Sequence, residues 1–226
     1  MKLLIALLSM LFFTSLYAQD CEELLPFKEG TYWEITSFNK RDKETGVMKQ
    51  TCKEVKTSGV NRTVVIEQTI LDKKEKELMT NEFDMQCASG VVFVSMEQMM
   101  NQESMEMFAE SEVKLEADEV NYPDQMQVGD ELKDGRLKIE MVGVPTIMSM
   151  ELLIINRKVE GKETIETPAG SFECYKISYD TEMHTVLKVT RKTVEWYCPG
   201  VGMVRQETYN KKGKLQDYSL LTGFSL

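Results

Sequence analysis

From residue 31 onward the chain is a succession of β-branched and aromatic runs divided by short turn signals, a pattern that leaves few options besides an antiparallel sheet. Residues 31–38 form the first run, followed by a polar turn with Asn39, Asp42 and Gly46. Residues 47–57 and 60–71 flank Ser58-Gly59, a two-residue hairpin signal, and in the second run Val60, Val64, Ile66 and Ile70 share one parity. Runs 77–87 and 91–95 continue the meander across Ala88-Ser89-Gly90. The second half repeats the pattern over residues 136–142, 146–160, 171–180, 183–198, 203–210 and 215–224. Its turn signals are Val144-Pro145, Pro168-Ala169-Gly170 and Lys212-Gly213.

Residues 96–109 break this period. Met96, Met99, Met100 and Met107 fall near i, i+3, i+4 and i+11, with Glu97, Glu103, Glu106 and Glu110 mostly on the other side, which predicts an amphipathic helix. An acidic connection, 110–130, follows and carries Tyr122-Pro123 and the turn Val128-Gly129-Asp130. Leu152, Leu153, Ile154 and Ile155 are continuously apolar and predict a central strand covered on both faces. The expected fold is therefore mainly β with a minor α part: one large, curved antiparallel sheet with a single amphipathic helix against its concave face. No linker, low-complexity tract or repeat divides it, so residues 19–226 are expected to form one domain.

The chain's start gives an address. Residues 1–18 place Lys2 before an apolar run, 3–13, and end on Ala18, which reads as a secretory signal peptide. The run falls short of the roughly 20 residues that cross a bilayer, and no second long apolar run follows, so no transmembrane segment is expected. Leu16 is bulkier than the small residue preferred three positions before cleavage. Cys21 raises the alternative of a lipid-modified N-terminal cysteine, but Asp20 stands where lipoprotein signals place a small residue.

All five cysteines, Cys21, Cys52, Cys87, Cys174 and Cys198, lie beyond the signal, where an oxidising compartment favours disulfides. No C-x-x-C occurs. Two bonds among five cysteines can be drawn in fifteen ways, so spacing alone does not choose. If 171–180 and the run ending at Cys198 form a hairpin centred near Val186, Cys174 faces Cys198 within reach of a cross-strand bond. Cys21 to Cys87 would then tie the N-terminus to the end of a strand and leave Cys52 as the odd thiol.

Charge and chemistry narrow the function. With 37 acidic against 27 basic side chains the net charge is −10, which disfavours nucleic acid as a partner. The single histidine, His184, cannot build a multi-histidine zinc site and allows only one Ser-His or Cys-His dyad. It reads most simply as a strand or turn residue. Without a nucleophile motif or a Gly-rich phosphate loop, no enzyme, catalytic residue, metal or cofactor is expected. Glu110, Glu112, Glu116, Asp118 and Glu119 lack the spacing of an EF-hand loop and read as a solvated acidic face.

Four groups of residues carry a resemblance. They are Cys21, Pro26-Phe27, Gly30-Thr31 and Trp33-Glu34; Tyr122-Pro123 with Val128-Gly129-Asp130; Thr167-Pro168-Ala169-Gly170-Ser171-Phe172; and Glu195-Trp196-Tyr197 leading into Pro199-Gly200-Val201-Gly202-Met203-Val204. In order and spacing they resemble the bacterial envelope proteins grouped under the name TapB, over nearly the whole mature chain. The resemblance implies a periplasmic location and a half-barrel like that of the lipoprotein carriers LolA and LolB, partly enclosing helices over an apolar cavity. It brings no catalytic residues. Cys52 departs from it. The matching Pro168 and Gly170 also suit a tight turn, and Gly200 and Gly202 a bulge or bend.

The 16 methionines are the most unusual feature of the composition. Flexible thioethers suit an adaptable apolar surface, and Met96, Met99, Met100, Met107, Met148 and Met150 are the candidate lining of a ligand cavity; ordinary core packing is the competing explanation, and a copper(I) site a weak third. The expected function is a non-enzymatic periplasmic protein that binds a lipid or other apolar ligand in a half-barrel cavity. The alternative is an interaction protein with a filled core that binds an envelope protein partner.

Overall fold

The computed structural model describes residues 21–96, 113–141, 150–185 and 187–226. A four-residue helix, α1 (Cys21–Leu24), precedes the strands β1 (Tyr32–Asn39), β2 (Glu44–Ser58), β3 (Asn61–Asp72), β4 (Glu77–Ala88) and β5 (Val91–Ser95). Then come β6 (Val113–Ala117), β7 (Glu119–Pro123), β8 (Gly135–Met141) and β9 (Met150–Thr167). The series ends with β10 (Gly170–His184), β11 (Lys188–Cys198), β12 (Gly202–Tyr209) and β13 (Leu215–Ser225). All thirteen belong to one sheet, ordered β6-β8-β9-β10-β11-β12-β13-β1-β2-β3-β4-β5-β7.

Curvature brings the two edges of that sheet together. β6 and β7 lie at opposite edges, yet they are consecutive in the chain and separated by Asp118. The Asp118 N–H donates to the Arg136 carbonyl at 2.8 Å, and its carbonyl accepts from the Met96 N–H at 3.0 Å. One run of chain thus spans both edges, and the sheet is a nearly closed antiparallel barrel. This satisfies edge groups that an open sheet leaves exposed. The mainly β expectation holds, with the barrel more closed than a half-barrel and helix minimal. The helix expected over 96–109 lies, Met96 apart, outside the described residues.

Local chemistry explains several boundaries. Ser58 pairs with Asn61, so the β2–β3 turn is Gly59-Val60, one residue later than Ser58-Gly59. Gly59 takes φ +63° at the first turn position, and Val60 is exposed instead of joining Val64 and Ile66 in the core. In β9, Leu152 and Ile154 face inward while Leu153 and Ile155 are only half-buried on the outer side; a barrel offers a strand one interior face, so the expectation of a strand covered on both faces is corrected.

Further along β9 a bulge opposite Ser178–Asp180 places Asn156 at φ +58° and reverses the inward parity, so that Arg157 and Val159 point to the core. Arg157 is 2% exposed. Its Nη1 donates to the carbonyls of Asn121 at 3.2 Å and Lys133 at 2.8 Å, clasping β7 and the approach to β8, while Nη2 has no partner. The Arg157 guanidinium also lies 5.0 Å over the Tyr122 ring, which stacks on Tyr197 at 4.2 Å.

The N-terminal segment caps one end of the barrel. Leu24, Leu25 and Phe27 are buried; Phe27 meets Trp33 edge-on at 4.6 Å, and Arg62 Nη2 donates to the Phe27 carbonyl at 2.6 Å. The Cys21–Cys87 disulfide anchors this segment to β4. Cys52 is a free, buried thiol.

β10 and β11 pair from Tyr175↔Tyr197 to His184↔Lys188, a hairpin centred on position 186 as expected, and this register sets Cys174 beside Cys198. The two are free thiols side by side where a disulfide was expected, Cys174 Sγ donating to the Phe172 carbonyl at 3.6 Å and Cys198 Sγ to the Pro199 carbonyl at 3.5 Å. The residues face each other as the register requires, with their hydrogens still in place.

Candidate functional site

Inside the barrel lies a cavity of about 590 Å³, within the range of about 300–1,000 Å³ typical of small-molecule pockets. Alternation along the strands sends Ile35 from β1, Met48 from β2, Ile66 and Ile70 from β3, and Phe83 and Met85 from β4 to one apolar wall. Phe27, Trp33 and Val201 line the capped end, where Trp33 Nε1 donates to the Val201 carbonyl at 2.8 Å.

The facing wall, from β10 to β13, is more polar. Tyr179, Thr181, Thr193, Glu195, Gln206 and Thr208 line it, and half-exposed Arg191 and Asp217 stand 3.6 Å apart as an ion pair. Thr181 and Thr193 share a hydroxyl hydrogen bond at 3.3 Å. On the apolar side one amide pair interrupts the hydrocarbon: Gln50 Nε2 donates to Gln68 Oε1 at 2.8 Å.

Glu195 is the buried ionisable group of this interior, 5% exposed. Tyr122 Oη donates to its Oε1 at 3.1 Å, Tyr179 Oη donates to its Oε2 at 3.3 Å, and Gln206 Nε2 donates to Tyr179 Oη at 3.0 Å. Burial pushes the Glu195 carboxyl above its ordinary range, against the opposing pull of the Arg157 charge and the tyrosine hydrogen bonds. The Tyr122 and Tyr179 phenols are driven well upward by the same burial and by their proximity to Glu195. Hydroxyl donors, a carboxyl and a guanidinium so arranged hold one another in place across β7, β9, β10 and β11.

The methionines expected at the site are distributed differently. Met96 is fully buried, yet packs between Val120 and Gly135; a β-carbon on Gly135 would stand 2.9 Å from its sulfur. Met150 is buried in the β8–β9 pairing, opposite Ile139. Neither reaches the cavity, whose thioethers come from Met48, Met85 and Met203. Met99, Met100, Met107 and Met148 lie outside the described residues. Sequence reasoning missed Glu195 and Tyr122 as partners because they are 73 positions apart, although each stood inside a motif noted for other reasons.

His184 is bound to the β10 hairpin end, with Nε2 3.0 Å from Glu182 and Nδ1 3.3 Å from Glu151. Among the described residues no group of three or more His, Cys, Asp or Glu side chains converges on a metal position, and no helix is long and apolar enough to cross a membrane. Of the expected acidic face, Glu116 pairs with Lys114 and Arg136 on the barrel exterior.

Two solved structures share this architecture. One is a protein of Bacteroides fragilis NCTC 9343 provisionally described as exported, with a YmcC-like fold; it is 27% identical, with a TM-score of 0.75 over 90% of this chain and 99% of its own. The other, provisionally described as a lipoprotein of Parabacteroides distasonis ATCC 8503, is 24% identical, with a TM-score of 0.76 over 92% of this chain and 100% of its own, and bears on the fold. Among curated proteins no match to the sequence is found. The family match spans residues 28–221, from just after the N-terminal cap into β13, and so takes in all or part of every strand that builds the cavity: the chain belongs to the DUF3108-like family.

Proposed function

We propose that this protein is a non-enzymatic, extracytoplasmic binding protein, periplasmic once residues 1–18 are removed, that takes a lipid or other apolar ligand into its barrel. The observation that carries this reading is the cavity of about 590 Å³ walled by Ile35, Met48, Ile66, Phe83 and Met85. It favours a ligand carrier over an interaction protein with a filled core, because an unfilled space of this size forfeits packing contacts that a purely structural barrel would gain by filling it. The Cys21–Cys87 disulfide and the exported description of the Bacteroides relative support the location. The resemblance to TapB and to the LolA and LolB carriers points the same way.

The test is native mass spectrometry of protein purified without detergent, together with uptake of a fluorescent apolar probe. Wild type is expected to carry a lipid-sized adduct that leaves on denaturation. Met85→Trp and Ile70→Trp, which add bulk at half-buried lining positions, are expected to abolish uptake while the fold persists. Undiminished uptake by both folded variants would move the ligand elsewhere.

A further inference from the structure

We infer that the cavity takes a single-chain amphiphile with an uncharged hydrogen-bonding head, an amide or alcohol, and rejects the matching carboxylate; this rests on the binding role proposed above. The charged lining residues are Arg191, Glu195 and Asp217. Arg191 is already paired with Asp217 at the half-exposed end, which leaves the buried Glu195 carboxyl as the remaining carboxyl or cationic group among the lining residues. The cation that faces Glu195 is Arg157, which stands behind the Tyr122 ring and does not line the space. A ligand carboxylate drawn into this interior would meet no unpaired cation and would face a second carboxyl, so its desolvation goes uncompensated.

An uncharged head finds a partner. Gln68 is 5% exposed and its carboxamide lines the apolar wall, where its Oε1 accepts from Gln50 and, among the described residues, no hydrogen bond from its Nε2 is found. An amide bordering the cavity can donate to a ligand carbonyl or hydroxyl oxygen in place of solvent. The neighbouring Met48, Ile66, Ile70, Phe83 and Met85 then receive the alkyl chain.

The experiment is displacement of N-phenyl-1-naphthylamine from the mature protein by dodecanamide, dodecanol and dodecanoate at about pH 8, where the carboxylate is ionised. Dodecanamide and dodecanol are expected to displace the probe at concentrations about tenfold or more below dodecanoate. Gln68→Leu is expected to raise the dodecanamide concentration needed relative to the probe's own dissociation constant, measured for each variant by direct titration. Glu195→Gln, where it folds, is expected to narrow the gap by admitting dodecanoate. Displacement by dodecanoate as effective as by dodecanamide, or a Gln68→Leu protein that keeps the full amide preference, overturns the head-group inference while binding stands. A folded wild type that takes up neither the probe nor any of the three compounds overturns the binding role itself.

Discussion

Glu195 couples the polar cluster of the barrel to pH. Its carboxyl is raised above the ordinary value of 4.5 by burial, so the native state holds a proton more tightly than the unfolded chain does. Stability from this group is fully present below that ordinary value and is lost as pH rises through the native one. Denaturant titrations across this window are therefore expected to show wild type losing stability with rising pH relative to Glu195→Gln, whose side chain does not titrate. Parallel pH profiles for the two proteins would contradict the role of desolvation. A second residue-scale expectation concerns Cys174 and Cys198. The proximity of the two thiols holds Cys198 below its ordinary range, while Cys174 is raised by the same contact and by burial. The pair titrates as a unit, and a thiolate formed within it is the attacking group. Exchange with an oxidised dithiol oxidoreductase transfers two electrons and two protons from the pair to the oxidant's disulfide and leaves a Cys174–Cys198 bond. Protein from an oxidising compartment is expected to have a mass short by four hydrogens, two for each disulfide, with a peptide joining the two residues. Alkylation of both in unreduced protein would refute it.

Among the elements, β9 depends most on irregular geometry. The bulge at Asn156 converts the inward series Leu152, Ile154 into Arg157, Val159, and so delivers a guanidinium to the seam where β7 approaches β8. Asn156 suits φ +58° because its short side chain tolerates the left-handed region, and its Nδ2 donates to Asp180 Oδ2 at 3.0 Å. Asn156→Val is expected to cost roughly 1–2 kcal/mol in urea denaturation and Asn156→Gly much less. Arg157→Met removes the donors to Asn121 and Lys133 and is expected to cost about 2–4 kcal/mol. Stabilities close to wild type for Asn156→Val and Arg157→Met would show that the seam closes without the bulge. Several hairpins were legible in sequence because turn chemistry is local, as where Pro168-Ala169 precedes Gly170 at φ +139°, whereas the β10–β11 centre at 186 was reached only as an assumption that the structure bears out. The bulge was not legible, since an Asn between Ile155 and Arg157 has no local mark of a parity reversal.

At the level of the whole molecule, the N-terminal cap and the barrel are separate pieces of chain held together by the Cys21–Cys87 bond across a sequence separation of 66. Chain-entropy reasoning gives such a loop about 4 kcal/mol, and paired Cys21→Ser and Cys87→Ser replacement is expected to lower stability by about 2–4 kcal/mol. Because Phe27 and Trp33 line the capped end, the double variant is also expected to bind the apolar probe more weakly, measured by fluorescence titration. Unchanged stability and binding would mean that Leu24, Leu25 and Phe27 hold the cap unaided. The sequence by itself determined the class of fold, most of the strand-and-turn order and the likeness to exported proteins, because alternation, turn residues and leader segments act over a few neighbouring positions. Only the tertiary structure decided that β6 and β7 close the sheet through Asp118, that Met48, Met85 and Met203 rather than Met96 and Met150 reach the cavity, and that Tyr122 meets Glu195. Those outcomes depend on how strands far apart in the chain are brought together as the sheet curves and on where a bulge reverses which side chains face inward, and neither quantity is encoded in the spacing of any single run.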